Sequence, residues 1–230
     1  LVPTDFSECA NKAAEIAIEI AKKNNAEIHF LHLFNARVNW KELRPEQEHL
    51  YPEVKKDFHN ANTKLDELVK KATEAGLNAK RFMEFNQGRS AIDTHINDQH
   101  HDFVIMGSQG ASKSSVLGSN AQKVIRNSFA PALVLKSEHN LSALNELVFC
   151  TDMNSQTSDK LIMLKSIADM LNIPLKMLTI NTPSNFKESA ELEQKIKQIM
   201  NPINFEIGFH HIDALNVERG ISHYCENRPG

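Results

Sequence analysis

The run Leu1-Val2-Pro3-Thr4-Asp5 returns as Leu147-Val148-Phe149-Cys150-Thr151-Asp152, with Asp152 standing 147 positions after Asp5. The chain that follows each run repeats as well. Apolar residues at Ala13, Ile16, Ala17, Ile20 and Ala21 mark one face of a helix after the first run, and Leu161, Leu164, Ala168 and Leu171 mark one after the second. A second strand, Ile28 to Leu33, is matched by Leu175 to Ile180. The stripe Val54, Phe58, Ala61, Leu65, Leu68 and Ala72 of a long helix is matched by Leu192, Ile196 and Ile199. A third strand, Ala79 to Phe85, is matched by Ile203 to Phe209, and Gly88-Arg89-Ser90 at the start of a third helix by Gly220-Ile221-Ser222. Self-similarity of this kind marks one unit used twice. The expected domains are 1–137 and 146–230, with the mostly polar run 137–146 as linker. The second copy has no counterpart of the last strands of the first, so the chain is expected to continue beyond Gly230.

In the first copy, Phe103 to Met106 is a short continuous apolar run, which suits a strand covered on both faces. A Gly/Ser-rich loop from Gly107 to Ser119 joins it to a helix carrying Ala121, Val124 and Ile125, and Ala132 to Lys136 forms a fifth strand. Strands alternating with helices over short connections predict a doubly wound open parallel sheet with helices on both faces, an α/β fold, in each domain. Ligands of such sheets bind beyond the carboxyl ends of strands, where the strand order reverses. Two carboxyl ends here carry unusual chemistry: Pro3-Thr4-Asp5 after the first strand, and the loop after the fourth.

Composition narrows the class of function. Hydrophobic residues make up 41% and charged residues 24% of the 230, as in ordinary globular chains, which excludes a disordered one. A net charge of −3 speaks against a generally basic nucleic-acid binder. No stretch reaches the roughly 18 apolar residues of a membrane span. Three scattered cysteines, Cys9, Cys150 and Cys225, make neither a disulfide framework nor a zinc site, and the expected setting is the cytoplasm.

The loop Gly107-Ser-Gln-Gly110-Ala-Ser-Lys113-Ser-Ser-Val-Leu-Gly118-Ser119-Asn120 has the ingredients of an anion site. Glycines let backbone N–H groups face an anion, and Gly118-Ser119 stands at a helix N-terminus, where amides and dipole favour phosphate. Lys113 is the loop's one cation. No Gly-Lys-Ser/Thr follows, so it is not a Walker A loop. A dinucleotide fingerprint would follow the first strand instead. An ordinary surface turn has the same composition, and the residues leave both readings open.

Together, Leu-Val-Pro-Thr-Asp-Phe-Ser at the start, Leu31-His32-Leu33, Met106-Gly-Ser-Gln-Gly, Gly118-Ser119-Asn120 and Pro131-Ala-Leu-Val-Leu resemble the universal stress protein family, in its tandem-domain form. The resemblance implies five strands in the order 3-2-1-4-5 and ATP or AMP, with or without Mg, between the first and fourth. By match to the family motif, Asp5 contacts the adenine or ribose end, and Pro3 and Leu33 line the base pocket. Met106 and Gly107 sit beside the ribose, and Gly110, Gly118, Ser119 and Asn120 hold the phosphates. One departure stands out: Gly110 and Gly118 enclose seven residues where ATP-binding members have nine. The second copy has Cys150 in place of Pro3 and no glycine loop, and no nucleotide is assigned to it.

The remaining candidates read as structural. His32 is expected to be a satisfied core histidine and Cys9 an inert buried thiol. His100-His101 and His210-His211 lack the helical spacing and carboxylate of a metal site. Lys55-Lys56 and Lys70-Lys71 read as solvated helix faces. No serine elbow or catalytic triad pattern is present. The expected function is a stress-response regulator that binds adenine nucleotide in the first domain, not an enzyme of efficient turnover. The alternative is a member that binds no nucleotide and acts through dimerisation and protein partners; a slow ATPase is a third reading. The fifth strand is an expected pairing edge. The family pairs domains there, which implies an intrachain pseudo-dimer and then a homodimer, with no nucleic-acid or membrane partner.

Overall fold

The computed structural model describes residues 1–36, 38, 40–85, 91–109, 118–136 and 144–226. The chain divides into two compact units, Leu1–His139 and Asn140–Gly230. In the first, the elements run β1 (Val2–Thr4), α1 (Glu8–Asn24), β2 (Ile28–Phe34), α2 (Pro52–Glu74), β3 (Ala79–Phe85), α3 (Ala91–Asp98), β4 (Val104–Gly107), α4 (Ser119–Asn127) and β5 (Ala132–Leu135). Two short 3-10 turns, Trp40–Glu42 and Pro45–Leu50, precede α2. All pairings are parallel: β1 with β2, β2 with β3, and β4 with β5. The two ladders meet at β1 and β4. The Leu1 nitrogen donates to Phe103 O at 2.8 Å, and the Ile105 N–H to Leu1 O at 2.9 Å. The order is therefore 3-2-1-4-5.

Side-chain alternation along β2 covers both faces. Leu31 packs with Ile92 and Ile96 of α3 and Ala121 and Val124 of α4. Phe34, three positions on and so on the opposite face, meets Phe58 of α2 at 5.5 Å between ring centroids. On α2, Ala61, Leu65, Leu68 and Ala72 are the buried stripe. Ser7 caps α1 by accepting from the Ala10 N–H, and Asn25 ends it in the left-handed conformation.

The second unit contains β6 (Leu147–Cys150), α5 (Thr157–Leu171), β7 (Leu175–Asn181), α6 (Ser189–Met200), β8 (Gly208–Asp213) and α7 (Val217–Glu226), with parallel order β6-β7-β8. Met177 packs with Leu161 of α5 and Leu192 of α6, while its neighbour Leu178 packs with Tyr224 of α7. Helices again cover both faces.

Two sequence expectations are corrected here. The third strand of the second unit starts at Gly208, not Ile203. Ile203, Phe205 and Ile207 alternate because they pack against the Met177 cluster on the approach, before the backbone pairs with β7. Gly220 lies within α7 rather than at its start. A Cβ there would stand 2.5 Å from Ile180 Cγ2, so the glycine serves the close approach of α7 to β7. Its proposed counterpart, 88–90, lies outside the described residues.

Candidate functional site

The site is created where β1 and β4 part. Successive residues of a strand direct their N–H and C=O to opposite sides. Leu1 faces β4, so Val2 faces β2 and Pro3 faces β4 again. Proline has no N–H to donate, so it cannot extend the β1–β4 ladder. Beyond it the chain leaves the sheet in a tight turn. The Phe6 N–H donates to Thr4 Oγ1 at 3.0 Å, the Ser7 N–H to Asp5 Oδ1 at 3.0 Å, and Phe6 takes a φ of +62°. A left-handed backbone is costly for a bulky residue, and the two side-chain acceptors hold it.

Across the gap, β4 ends at Gly107 directly beneath the start of α1. A Cβ at Gly107 would lie 2.9 Å from Cys9 Sγ and 3.0 Å from the Cys9 carbonyl carbon. The alanine-rich face of α1 and this glycine bring helix and strand together. The Cys9 thiol is buried and donates to Leu135 O at 3.2 Å, as expected for an inert thiol.

The resulting cleft has a volume of about 320 Å³. Pro3, Asp5, Leu33, Met106, Gly107, Gly118, Ser119 and Asn120 all line it. These residues come from both ends of the first unit, and the fold brings them to one place. Gly110 and Lys113 lie outside the described residues. The floor is apolar, made by Leu31, Ile92, Met106 and Ala121. One wall is the Asp5 turn, and another is the N-terminus of α4. That helix has Gly118 as N-cap, no side-chain cap and no acidic residue in its first turn. Its first internal hydrogen bond runs from the Gln122 N–H to Gly118 O at 3.0 Å. The Ser119, Asn120 and Ala121 amides precede that bond, at the positive end of the helix dipole. The Gly118 amide differs, because it donates to Ser108 O at 2.8 Å and fixes the loop exit. Its contribution is backbone shape, not a free donor.

The profile of the Universal stress protein family matches residues 1–136, more than half of the chain. The chain belongs to the universal stress protein family. Universal stress protein YxiE of Bacillus subtilis (strain 168) is 28% identical over 143 residues, 59% of this chain and 97% of that protein. Universal stress protein MJ0577 of Methanocaldococcus jannaschii is 28% identical over 153 residues, 60% of this chain and 94% of that one. A universal stress protein crystal structure from Archaeoglobus fulgidus DSM 4304 covers 98% of this chain and 82% of its own, with a TM-score of 0.72 and 20% identity, a likeness of fold.

The cleft also contains residues to which the motif match gives no role in the site: Thr4, Ala10, Leu31, His32, Ile92, Gln109 and Ala121. His32 is satisfied, as expected, but it is half-buried and lines the cleft rather than the core. Its Nδ1–H donates to Thr4 O at 2.8 Å, which leaves Nε2 as the acceptor of the neutral ring. Burial pushes its pKa below the usual histidine value, against the hydrogen bond to Thr4 and the charge of Asp5. Its ring packs on Phe6 at 4.5 Å, and Lys64 Nζ of α2 lies 5.2 Å from the Phe6 centroid. Lys64, which the sequence does not single out, thus places a cation beside the turn. Among the described residues, no group of three or more His, Cys, Asp or Glu side chains is arranged to hold a metal ion, and no helix is long and apolar enough to cross a membrane.

Proposed function

We propose that the first unit binds an adenine nucleotide, ATP or AMP, as a regulatory ligand that it does not efficiently turn over. The observation that carries this reading is the cleft at the β1–β4 split. An apolar floor, an acidic turn and an uncapped helix N-terminus meet there around a volume at the low end for small-molecule sites. The base lies over Leu31, Leu33 and Met106 beside Pro3, with Asp5 at the adenine or ribose end. The phosphates face the Ser119–Ala121 amides, which an anion complements in charge and geometry. The Gly118 amide, bonded to Ser108 O, is not among the phosphate donors of this reading. Efficient phosphoryl transfer needs a positioned acceptor and charge stabilisation at the γ-phosphate. Phosphate release from ATP·Mg no faster than buffer controls is the expected outcome of this reading.

Titration with ATP·Mg and with AMP, followed by calorimetry, tests this. Saturable binding at one site per chain is expected. Ser119→Pro isolates the phosphate contact. Proline suits the first position of a helix, and the extended backbone of Gly118 accommodates it, with φ −60° and ψ 149°. The variant removes one N–H and one hydroxyl, so ATP affinity should fall roughly ten- to a hundredfold while the melting temperature is unchanged. A wild-type chain that gives neither heat nor a melting shift with either nucleotide ends the reading. One observation favours the second reading, association with protein partners. Phe129 is 91% exposed and Ile125 54% exposed beside β5, whose only ladder partner among the described strands is β4.

A further inference from the structure

Away from the cleft, three imidazoles of the first unit are packed together. His29 of β2 and His95 of α3 both lie against Phe82 of β3, with ring centroids 5.1 and 4.6 Å away. His101, in the turn that leads into β4, meets His29 edge-on at 4.9 Å and stacks on His95 at 5.5 Å. Each ring buries one nitrogen that has no hydrogen-bond partner among the described residues: His29 Nδ1, His95 Nε2 and His101 Nε2. We propose that His95 and His101, packed on each other and on His29 and Phe82, form an acid-sensitive latch, which holds α3 and the turn before β4 against β2 and β3 only while those two rings are neutral.

The chemistry of the rings supports this. A protonated imidazole has two N–H donors and a full charge. In this cluster, one donor of any protonated ring stays buried without an acceptor, and the charge sits about 5 Å from a second ring that cannot then be protonated cheaply. Several charged groups face the cluster. From the strand starts come Glu27 and Lys80, which pair with each other, and Glu27 also accepts from His29 Nε2 and Asn78. Glu84 of β3 stands 3.9 Å from His95 Nδ1. Asp98 of α3 acts on His95, and Glu27 also acts on His101. The Lys80 and His29 hydrogen bonds hold the Glu27 carboxyl near a pKa of about 2, so it stays ionised through the acid range. Burial nevertheless prevails over these carboxylates. It lowers the pKa of His95 and, with the neighbouring imidazoles adding to it, lowers that of His101.

A histidine whose folded pKa lies below its unfolded value of about 6.5 stabilises the fold above that value. As pH falls from about 6.5 toward the folded pKa, the opened state takes up the proton first. Each such histidine then favours opening by up to tenfold per pH unit. Opening reaches the cleft, because α3 supplies Ile92 and the strand after His101 supplies Met106 and Gly107. Protonation of this cluster thus loosens one side of the site through residues that do not line it.

Hydrogen-exchange protection factors of the full chain between pH 7.5 and 5.0 test the latch, with His101→Gln and His95→Gln/His101→Gln as variants. In the wild type, protection across α3 and β4 should fall at least tenfold over that range while α1 changes less than twofold. The fall should shrink in His101→Gln and vanish in the double variant. If the double variant does not protect α1 at pH 7.5, it has not folded, and the single variant decides. An unaltered pH slope in the variants overturns the proposal. A parallel loss in α1 and α3 also overturns it, since that is global acid unfolding. So does a rise in α3 protection on adding Zn²⁺ at pH 7.5 that the variants lack, which would make the trio a metal site.

Discussion

At the end of β1 the Phe6 N–H donates to Thr4 Oγ1 at 3.0 Å, and at the end of β6 the Met153 N–H donates to Thr151 Oγ1 at the same distance. Phe6 and Met153 share a φ of +62°. Asp5 and Asp152 both accept from the N–H two residues on. His32 Nδ1 contacts Thr4 O, and Thr179 Oγ1 contacts Thr151 O. Every pair is 147 positions apart. The two turns differ in what surrounds them. The first faces Gly107 and the N-terminus of α4 across a cleft. In the second, Thr151 Oγ1 pairs with Thr157, which is fully buried, and the side chain of Met153 is buried too. The comparison separates scaffold from site. The Thr-Asp turn recurs because it ends a strand and starts a helix, and it becomes a candidate binding element only where a second strand parts from it.

The largest test of that contrast compares the two close-packed glycines. Gly107→Ala drives its Cβ into the backbone of α1, which cannot rotate aside, and should cost about 2–3 kcal/mol. Gly220→Ala meets only the Ile180 side chain, which has other rotamers, and alanine gains about 1 kcal/mol of helix propensity. Its net cost should be under about 1 kcal/mol. Trp40, the one tryptophan, is in the first unit. Urea unfolding followed by its fluorescence should shift for Gly107→Ala and not for Gly220→Ala. Equal shifts would dissolve the distinction. A smaller effect sharpens the scaffold half. Thr4→Val removes one turn hydrogen bond, about 1 kcal/mol, whereas Thr151→Val also strands the buried Thr157 hydroxyl and should cost about 2 kcal/mol. Far-UV dichroism melts that rank the two the other way would show that the turns are not equivalent.

Much of this was legible in the chain itself. Alternating strand and helix patterns give the parallel fold, and the β2 and β7 strands fall at the repeat interval. Of the α2 stripe, Ala61, Leu65, Leu68 and Ala72 are buried where their spacing places them, and Val54 and Phe58 are half-buried. Local chemistry marks the Asp5 turn and the start of α4 before any contact is known. What stayed hidden depends on distant neighbours. Gly107 reads as a site glycine alone, and its close packing against Cys9, 98 positions earlier, shows only in the fold. His29, His95 and His101 are spread over two strands' worth of chain and share no spacing that would join them. The apolar alternation of Ile203 to Phe209 reports burial faithfully but cannot report where pairing begins.

The most direct measurement of the central claim is hydrogen exchange of the full chain with and without saturating ATP·Mg. Protection is predicted to rise at residues 3–7, 105–109 and 118–122 and to stay unchanged at 150–154, the turn with the same backbone, where Thr151 Oγ1 pairs with the buried Thr157. Protection that rises equally in both turns, or in neither, contradicts the account.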